Sequence, residues 1–91
     1  MAEPIREYVI SEHAALEMKR RGLDEHIVRH VVAAPEQRLP VRSGRDVLQS
    51  RLDFGGKGYL VRVFVDLDRS PAEVVTAYRT SRISKYWRQE P

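Results

Sequence analysis

The chain has 91 residues, 42% hydrophobic and 32% charged, a balance that fits one small globular domain and excludes a disordered chain. Sixteen Lys and Arg stand against thirteen Asp and Glu for a formal charge of +3, and thirteen of those sixteen cations are Arg, whose planar set of donors matches phosphate oxygens. There is no cysteine, which excludes disulfides and thiolate metal sites and suits a reducing cytoplasm, and no run approaches the ~18 apolar residues of a membrane span.

The opening "MAEPIREYVI" has no basic segment followed by an apolar core, so no signal peptide is expected. Residues 1–6 read as a loose end. Tyr8 to Ile10 is either a short strand or the lead-in to a helix. Ser11 is a fitting N-cap with Glu12 in the first turn, and "EHAALEMKRR" runs as a helix to Gly22, a natural C′ residue. Asp24 caps a second helix, "EHIVRHVVAA", which Pro35 ends. Its apolar stripe, Ile27, Val28, Val31 and Val32, is β-branched, so packing must hold it.

After Pro35 the period changes to two. "QRLPVR" is a weak strand that Pro40 confines to an edge or a bulge, and Ser43-Gly44 is a tight turn. "DVLQSRLDF" alternates Leu48, Leu52 and Phe54 with Val47, Gln49, Arg51 and Asp53. "GGKG" turns the chain into "YLVRVFVDL", the most strand-like stretch and the expected central strand. "AEVVTAY" is the last strand and "SRISKYWRQ" the last helix. The expected fold is α+β: two N-terminal helices, a three- to four-stranded antiparallel sheet and a C-terminal helix, one domain over 1–91. Helices on one face leave the other open, and a site is expected there.

Three groups of residues have chemical potential. His13, Glu17 and Arg20 or Arg21 share a face of the first helix. Glu17 orients His13 and pairs with Arg21, and a histidine so held is a usable acid or base, although ordinary ion pairs on a solvated face give the same spacing. Arg51 and Arg62 interrupt apolar patterns on neighbouring strands and need either an acid (Asp46, Asp53 or Asp66) or an anion. Arg45 follows the Ser43-Gly44 turn. In "TAYRTSRISKYW", Thr76 and Tyr78 project to one face and Arg79 to the other. The start of the last helix at Thr80-Ser81 offers free N–H groups to a phosphate, with Arg82, Lys85 and Arg88 around it. No acid occurs from Val74 to Gln89. His26 and His30 have metal-capable spacing but no evident third ligand, so no metal is expected. "GGKG" lacks the spacing of a phosphate-binding loop.

The segments "ISEHAALEMKRRGL", "VRHVVAAPEQ", "QSRLDFGGKGYLVRVFVD" and "VVTAYRTSRISKYW" together resemble a group of short bacterial and phage proteins. These are similar to the RelE/ParE and BrnT type of toxin and are placed with the RelE-like ribonuclease fold. The resemblance implies a toxin of a toxin–antitoxin pair that cleaves RNA, including ribosome-associated mRNA, without metal or other cofactor, by attack of the ribose 2′-OH on the adjacent phosphate. It implies an acidic antitoxin-like partner; no membrane partner is expected, for want of a long apolar run. Carried onto this chain, His13, Arg51 and Tyr78 would be catalytic, Arg45, Arg79, Arg82 and Lys85 would hold phosphate or RNA, and Glu17 and Arg21 would support His13. The alternative is a non-catalytic RNA- or protein-binding module on the same basic surface, including ParE-like inhibition of a protein target.

Overall fold

Side-chain caps set both major helices. Ser11 Oγ accepts from the Ala14 N–H at 3.0 Å and starts α1, Glu12–Arg20. Asp24 Oδ1 accepts from the His26 N–H at 2.8 Å and starts α2, Glu25–Ala33. Each cap satisfies a first-turn donor that has no partner within its helix. At the end of α1 the Leu23 N–H reaches the Met18 carbonyl at 2.8 Å and the Gly22 N–H the Lys19 carbonyl at 3.2 Å. That reciprocal pair needs the left-handed backbone that Gly22 supplies.

The computed structural model describes residues 2–89. Its strands are β1 (Tyr8–Ile10), β2 (Gln37–Arg42), β3 (Arg45–Phe54), β4 (Lys57–Asp66) and β5 (Ala72–Thr80), followed by the one-turn α3, Ile83–Tyr86. They form a single sheet in the order β1-β5-β4-β3-β2. From β2 to β5 each strand pairs antiparallel with the next. β1 joins the outer edge of β5 in parallel, with Tyr8 opposite Ala72 and Ile10 opposite Val74.

The expected fold class is corrected on three counts. The sheet has five strands and is mixed, because Tyr8–Ile10 pairs with β5 instead of merely leading into α1. The helices therefore do not open the chain: α1 and α2 lie between β1 and β2. The expected helix over residues 81–89 is four residues long, for a reason given below. The segment expected as a loose end is also tied down over its described part. Ala2 N–H bonds to the Pro35 carbonyl at 2.9 Å, Ile5 N–H approaches the Val32 carbonyl at 3.4 Å, and Ile5 packs on the core. Met1 lies outside the described residues.

One face of the sheet carries the core. Leu48 of β3, Val61, Val63 and Val65 of β4 and Val74 and Ala77 of β5 meet Ala14 and Met18 of α1 and Val28, Val31 and Val32 of α2. These side chains are almost fully buried. At ~1.5–3 kcal/mol for each large apolar side chain, their packing outweighs the ~0.5 kcal/mol per residue by which valine disfavours a helix. Among the described residues no helix is long and apolar enough to cross a membrane.

Candidate functional site

Residues that alternate with the core project to the opposite face, and that face is not bare. Gln37, Gln49, Arg62 and Tyr78 lie in line across β2, β3, β4 and β5: Gln37 is opposite Gln49, Gln49 opposite Arg62 and Arg62 opposite Tyr78. The C-terminal segment crosses them. Gln49 Nε2 donates to the Tyr86 carbonyl at 3.1 Å, Gln37 Nε2 donates to the Arg88 carbonyl at 2.6 Å, and Gln37 Oε1 accepts from the Arg88 N–H at 3.1 Å. Side-chain amides thus take the backbone groups that a longer helix would use, and the chain turns extended at Trp87, with ψ 125.

Arg62 is the centre of this surface. Its Nε donates to Gln49 Oε1 at 2.9 Å and its Nη1 to the Tyr78 hydroxyl at 2.9 Å. The guanidinium lies 4.4 Å from the Tyr86 ring centre, 5.2 Å from that of Phe64 and 5.9 Å from that of Tyr78. Phe64 and Tyr78 are stacked, 6.1 Å apart at 12°. Among the described residues Arg62 makes no ion pair. Two of its five N–H donors are used within the described residues, and the other three have no partner among them. Contact with the rings is worth ~0.5–2 kcal/mol and partly offsets the cost of half-burying the charge, and no acid among the described residues neutralises it.

Arg51 is placed differently. Its guanidinium and its backbone N–H both bind Glu36, at 3.1 and 3.2 Å from the side chain and 2.7 Å from the backbone. Those bonds, the side-chain ones foremost, hold the Glu36 carboxyl below its ordinary range. The other side of the guanidinium lies 4.0 Å from the Trp87 ring centre. Arg51 is on the expected face but already has an anion. The acid partner that the sequence left open is Glu36, not Asp46, Asp53 or Asp66.

Arg45 is farther away. It is six residues from Arg51 along β3, ~20 Å at strand spacing, and both its Nε and Nη2 bind Asp66, at 2.5 and 3.2 Å. The nearby Arg38–Asp46 pair at 2.8 Å and Arg69–Glu73 pair at 2.9 Å neutralise that end of the sheet. At the other end, where β3 turns into β4 and β5 runs into α3, Lys57, Arg79, Arg82 and Lys85, like Arg62 at mid-sheet, make no ion pair among the described residues. Positive charge is therefore concentrated there.

The expected triad is split between layers. Tyr78 is beside Arg62, but His13 belongs to α1, on the core side. His13 Nε2 stands 3.6 Å from Glu17 Oε1 and its side chain is 73% exposed. Glu17 also meets Arg20 at 3.5 Å and Arg21 at 3.4 Å. Arg21 reaches on to the free edge of β5 and donates to the Ala77 carbonyl at 2.8 Å. The predicted helical face exists, and its supported end ties α1 to the sheet edge. Arg79 is on the core side too, over Phe54 at 4.6 Å and Tyr59 at 4.8 Å. The phosphate site expected at the Thr80-Ser81 helix start does not form: Thr80 Oγ1 accepts from the Arg82 N–H at 3.1 Å, and α3 is too short to add a useful dipole.

Sequence reasoning noted Arg62 as a strand cation without placing it at the site, and it passed over Gln37, Gln49 and Tyr86 as site residues. The available signal was Gln49, a polar side chain on the same face as Arg51 and one strand from Arg62. Among the described residues no group of three or more His, Asp or Glu could hold a metal ion. No protein-family model, curated protein or solved structure matches the chain.

Proposed function

We propose that the sheet face under the C-terminal segment binds single-stranded RNA, with Arg62 as the phosphate receptor. The observation that carries this reading is Arg62 itself: a half-buried guanidinium on the central strand, oriented by Gln49 and Tyr78, with three donors that have no partner among the described residues. The Tyr78 oxygen accepts from Arg62, so its O–H remains available as a fourth donor. A cluster built of donors takes an acceptor, and phosphate oxygens suit it. The partly exposed rings of Tyr78, Tyr86 and Trp87 supply faces for bases, and the alternation of guanidinium and ring suits the alternation of phosphate and base along a strand.

Cleavage, which the resemblance to toxins implies, is a second reading at the same place. The 2′ oxygen would attack phosphorus, Arg62 would steady the charge that develops on the phosphate, and Tyr78 would give its proton to the departing 5′ oxygen. The observation in its favour is the free Tyr78 O–H beside the receptor. His13, on the other layer, does not serve as the base in this reading. Among the described residues the hydrogen bonds of Arg62 and Tyr78 include no carboxylate or imidazole that could act as a base, so binding is the reading put first. An acidic protein partner would cover the same unpaired cations, as the antitoxin reading has it.

The test is fluorescence anisotropy with a labelled single-stranded RNA in excess EDTA, followed by gel analysis of the same sample. Salt-sensitive binding that Arg62→Ala weakens and His13→Ala leaves intact supports the proposal. Cyclic-phosphate products lost with Tyr78→Phe would promote the ribonuclease reading. Binding unaffected by Arg62→Ala would remove the face from consideration.

A further inference from the structure

A second concavity lies on the helix side of the sheet, at the same end as the unpaired cations. It has a volume of about 300 Å³ and is lined by His26, Ile27 and His30 of α2 and Leu52, Asp53 and Phe54 of β3. Its shape comes from the early departure of the neighbouring strand. The last β2–β3 pair is Gln37 with Gln49, and the chain before it leaves toward α2 through Pro35. From Arg51 onward, β3 has no described strand on that side.

The backbone at this free edge is polar and open. The Arg51 N–H points away from β4 and is taken by Glu36 Oε1 at 2.7 Å. Every second residue of an antiparallel strand directs its N–H and C=O the same way, so those of Asp53 point outward too, beside the cleft, with no described backbone partner. They form an adjacent donor and acceptor above walls made by Ile27, Leu52 and Phe54. His26 and His30, one helical turn apart, add ring nitrogens at the rim. Behind Phe54 stands Arg79, stacked 4.6 Å from the ring centre and free of any ion pair among the described residues.

We infer that this cleft is a nucleobase pocket that takes one purine of the bound RNA, with Arg79 on the phosphate of the same nucleotide. The inference rests on the RNA-binding reading for its ligand class. Apolar walls with a few convergent polar groups are the usual make-up of a small-ligand site. A purine edge offers the complement of the Asp53 donor and acceptor, and its ring face suits Phe54. A metal ion is disfavoured because the two histidines find no third ligating group among the described residues. An added peptide strand is disfavoured because the free edge is short: the Arg51 N–H is occupied and Gly55 begins the turn, so only the Arg51 C=O and the N–H and C=O of Asp53 remain outward, where strand addition needs a longer row.

The experiment is a titration of the ¹⁵N-labelled full chain with adenosine 5′-monophosphate, uridine 5′-monophosphate and a short oligoadenylate, followed by amide and histidine-ring shifts. The adenine nucleotide is expected to move Asp53, His26 and His30 at about tenfold lower concentration than the uridine nucleotide. His30→Trp, which fills the cleft, should abolish those shifts and leave oligoadenylate-induced shifts at Arg62 and Tyr86. His26→Trp serves the same purpose if the first variant does not fold. Shifts at Arg62 and Tyr86 with none at Asp53 would overturn the pocket and leave the RNA-binding face standing. Shifts at Asp53 with none at Arg62 would support the pocket and sink the RNA-binding face. The absence of both would reject both.

Discussion

The side-chain amide of Gln49 donates to the Gln37 side-chain oxygen at 2.8 Å, and this buried pair fastens the C-terminal segment to the sheet. Both N–H groups of Gln49 are used, one on Gln37 and one on the Tyr86 carbonyl, while its oxygen orients Arg62. No buried side-chain polar atom among the described residues lacks a partner. A network satisfied in this way is costly to open at any one member.

Gln49→Leu removes three of these bonds at once and strands the Arg62 Nε–H and the Tyr86 carbonyl. The expected loss is about 1–3 kcal/mol, read as a lower denaturant midpoint. The segment should also loosen, so trypsin should cut after Lys85 and Arg88 faster under native conditions. An unchanged midpoint and cleavage rate would show that the amides do not hold the segment.

Arg62→Lys keeps the charge but loses the planar donor set that meets Gln49 and Tyr78 together. RNA affinity should fall nearly as far as in Arg62→Ala, and the slope of log K against log salt should drop by about one in the alanine variant only. His13→Ala should change neither. Full rescue by lysine would mean that Arg62 acts only as a point charge.

Asp66 and Glu36 give stability a definite dependence on acid. Hydrogen bonds from Arg45 hold the Asp66 carboxyl below its ordinary 3.8, and those from Arg51 hold Glu36 below its ordinary 4.5. A folded value below the unfolded one means that the unfolded chain takes up protons first as pH falls. Both contributions are therefore complete above about pH 5 and disappear as pH falls through the lowered folded values. The melting temperature should decline as pH falls below about 5. Asp66→Asn should cost about 2 kcal/mol at neutral pH and make the acid decline shallower. A decline of equal steepness in the variant would assign the effect to other carboxyls.

Gly44 and Gly55 both have positive φ, +81° and +59°, and alanine is strained at either by about 1–2 kcal/mol. They differ in surroundings. A Cβ on Gly44 would lie 3.0 Å from Asp68 Oδ2, whereas one on Gly55 meets nothing within 4 Å. Gly44→Ala should therefore be the more destabilising in thermal melts, and equal losses would mean that the Asp68 side chain moves aside freely.

Wherever the controlling physics is local, the fold was legible. Ser11 and Asp24 announce helix starts because their side chains reach the first turn, and Pro35 and the glycine turns punctuate the chain at the expected places. The face of β3 with Gln49 and Arg51 followed from strict alternation. The parallel seating of Tyr8–Ile10 on β5 was not legible, because three residues carry too little pattern and their partner lies at the far end of the chain. The shortness of α3 was hidden for a related reason: its terminator is a pair of glutamines on β2 and β3, not a residue within the helix. His13 looked catalytic because helical spacing shows which side chains are neighbours along α1. It cannot show which side of the sheet α1 will cover.

The strand order also sets how long a loop each pairing must close. β2 to β5 form a continuous meander in which each strand finds its partner across one turn, so these contacts close short loops and can form early. β1 closes the longest loop of the sheet: Tyr8 and Ala72 are 64 positions apart (72 − 8) and meet over three rungs. Amide exchange should therefore be fastest to appear at Val9 and its neighbours and slowest along β4, which has a strand on each side. Such a chain has a hard centre made by its middle and a light seam, three rungs long, made by its beginning.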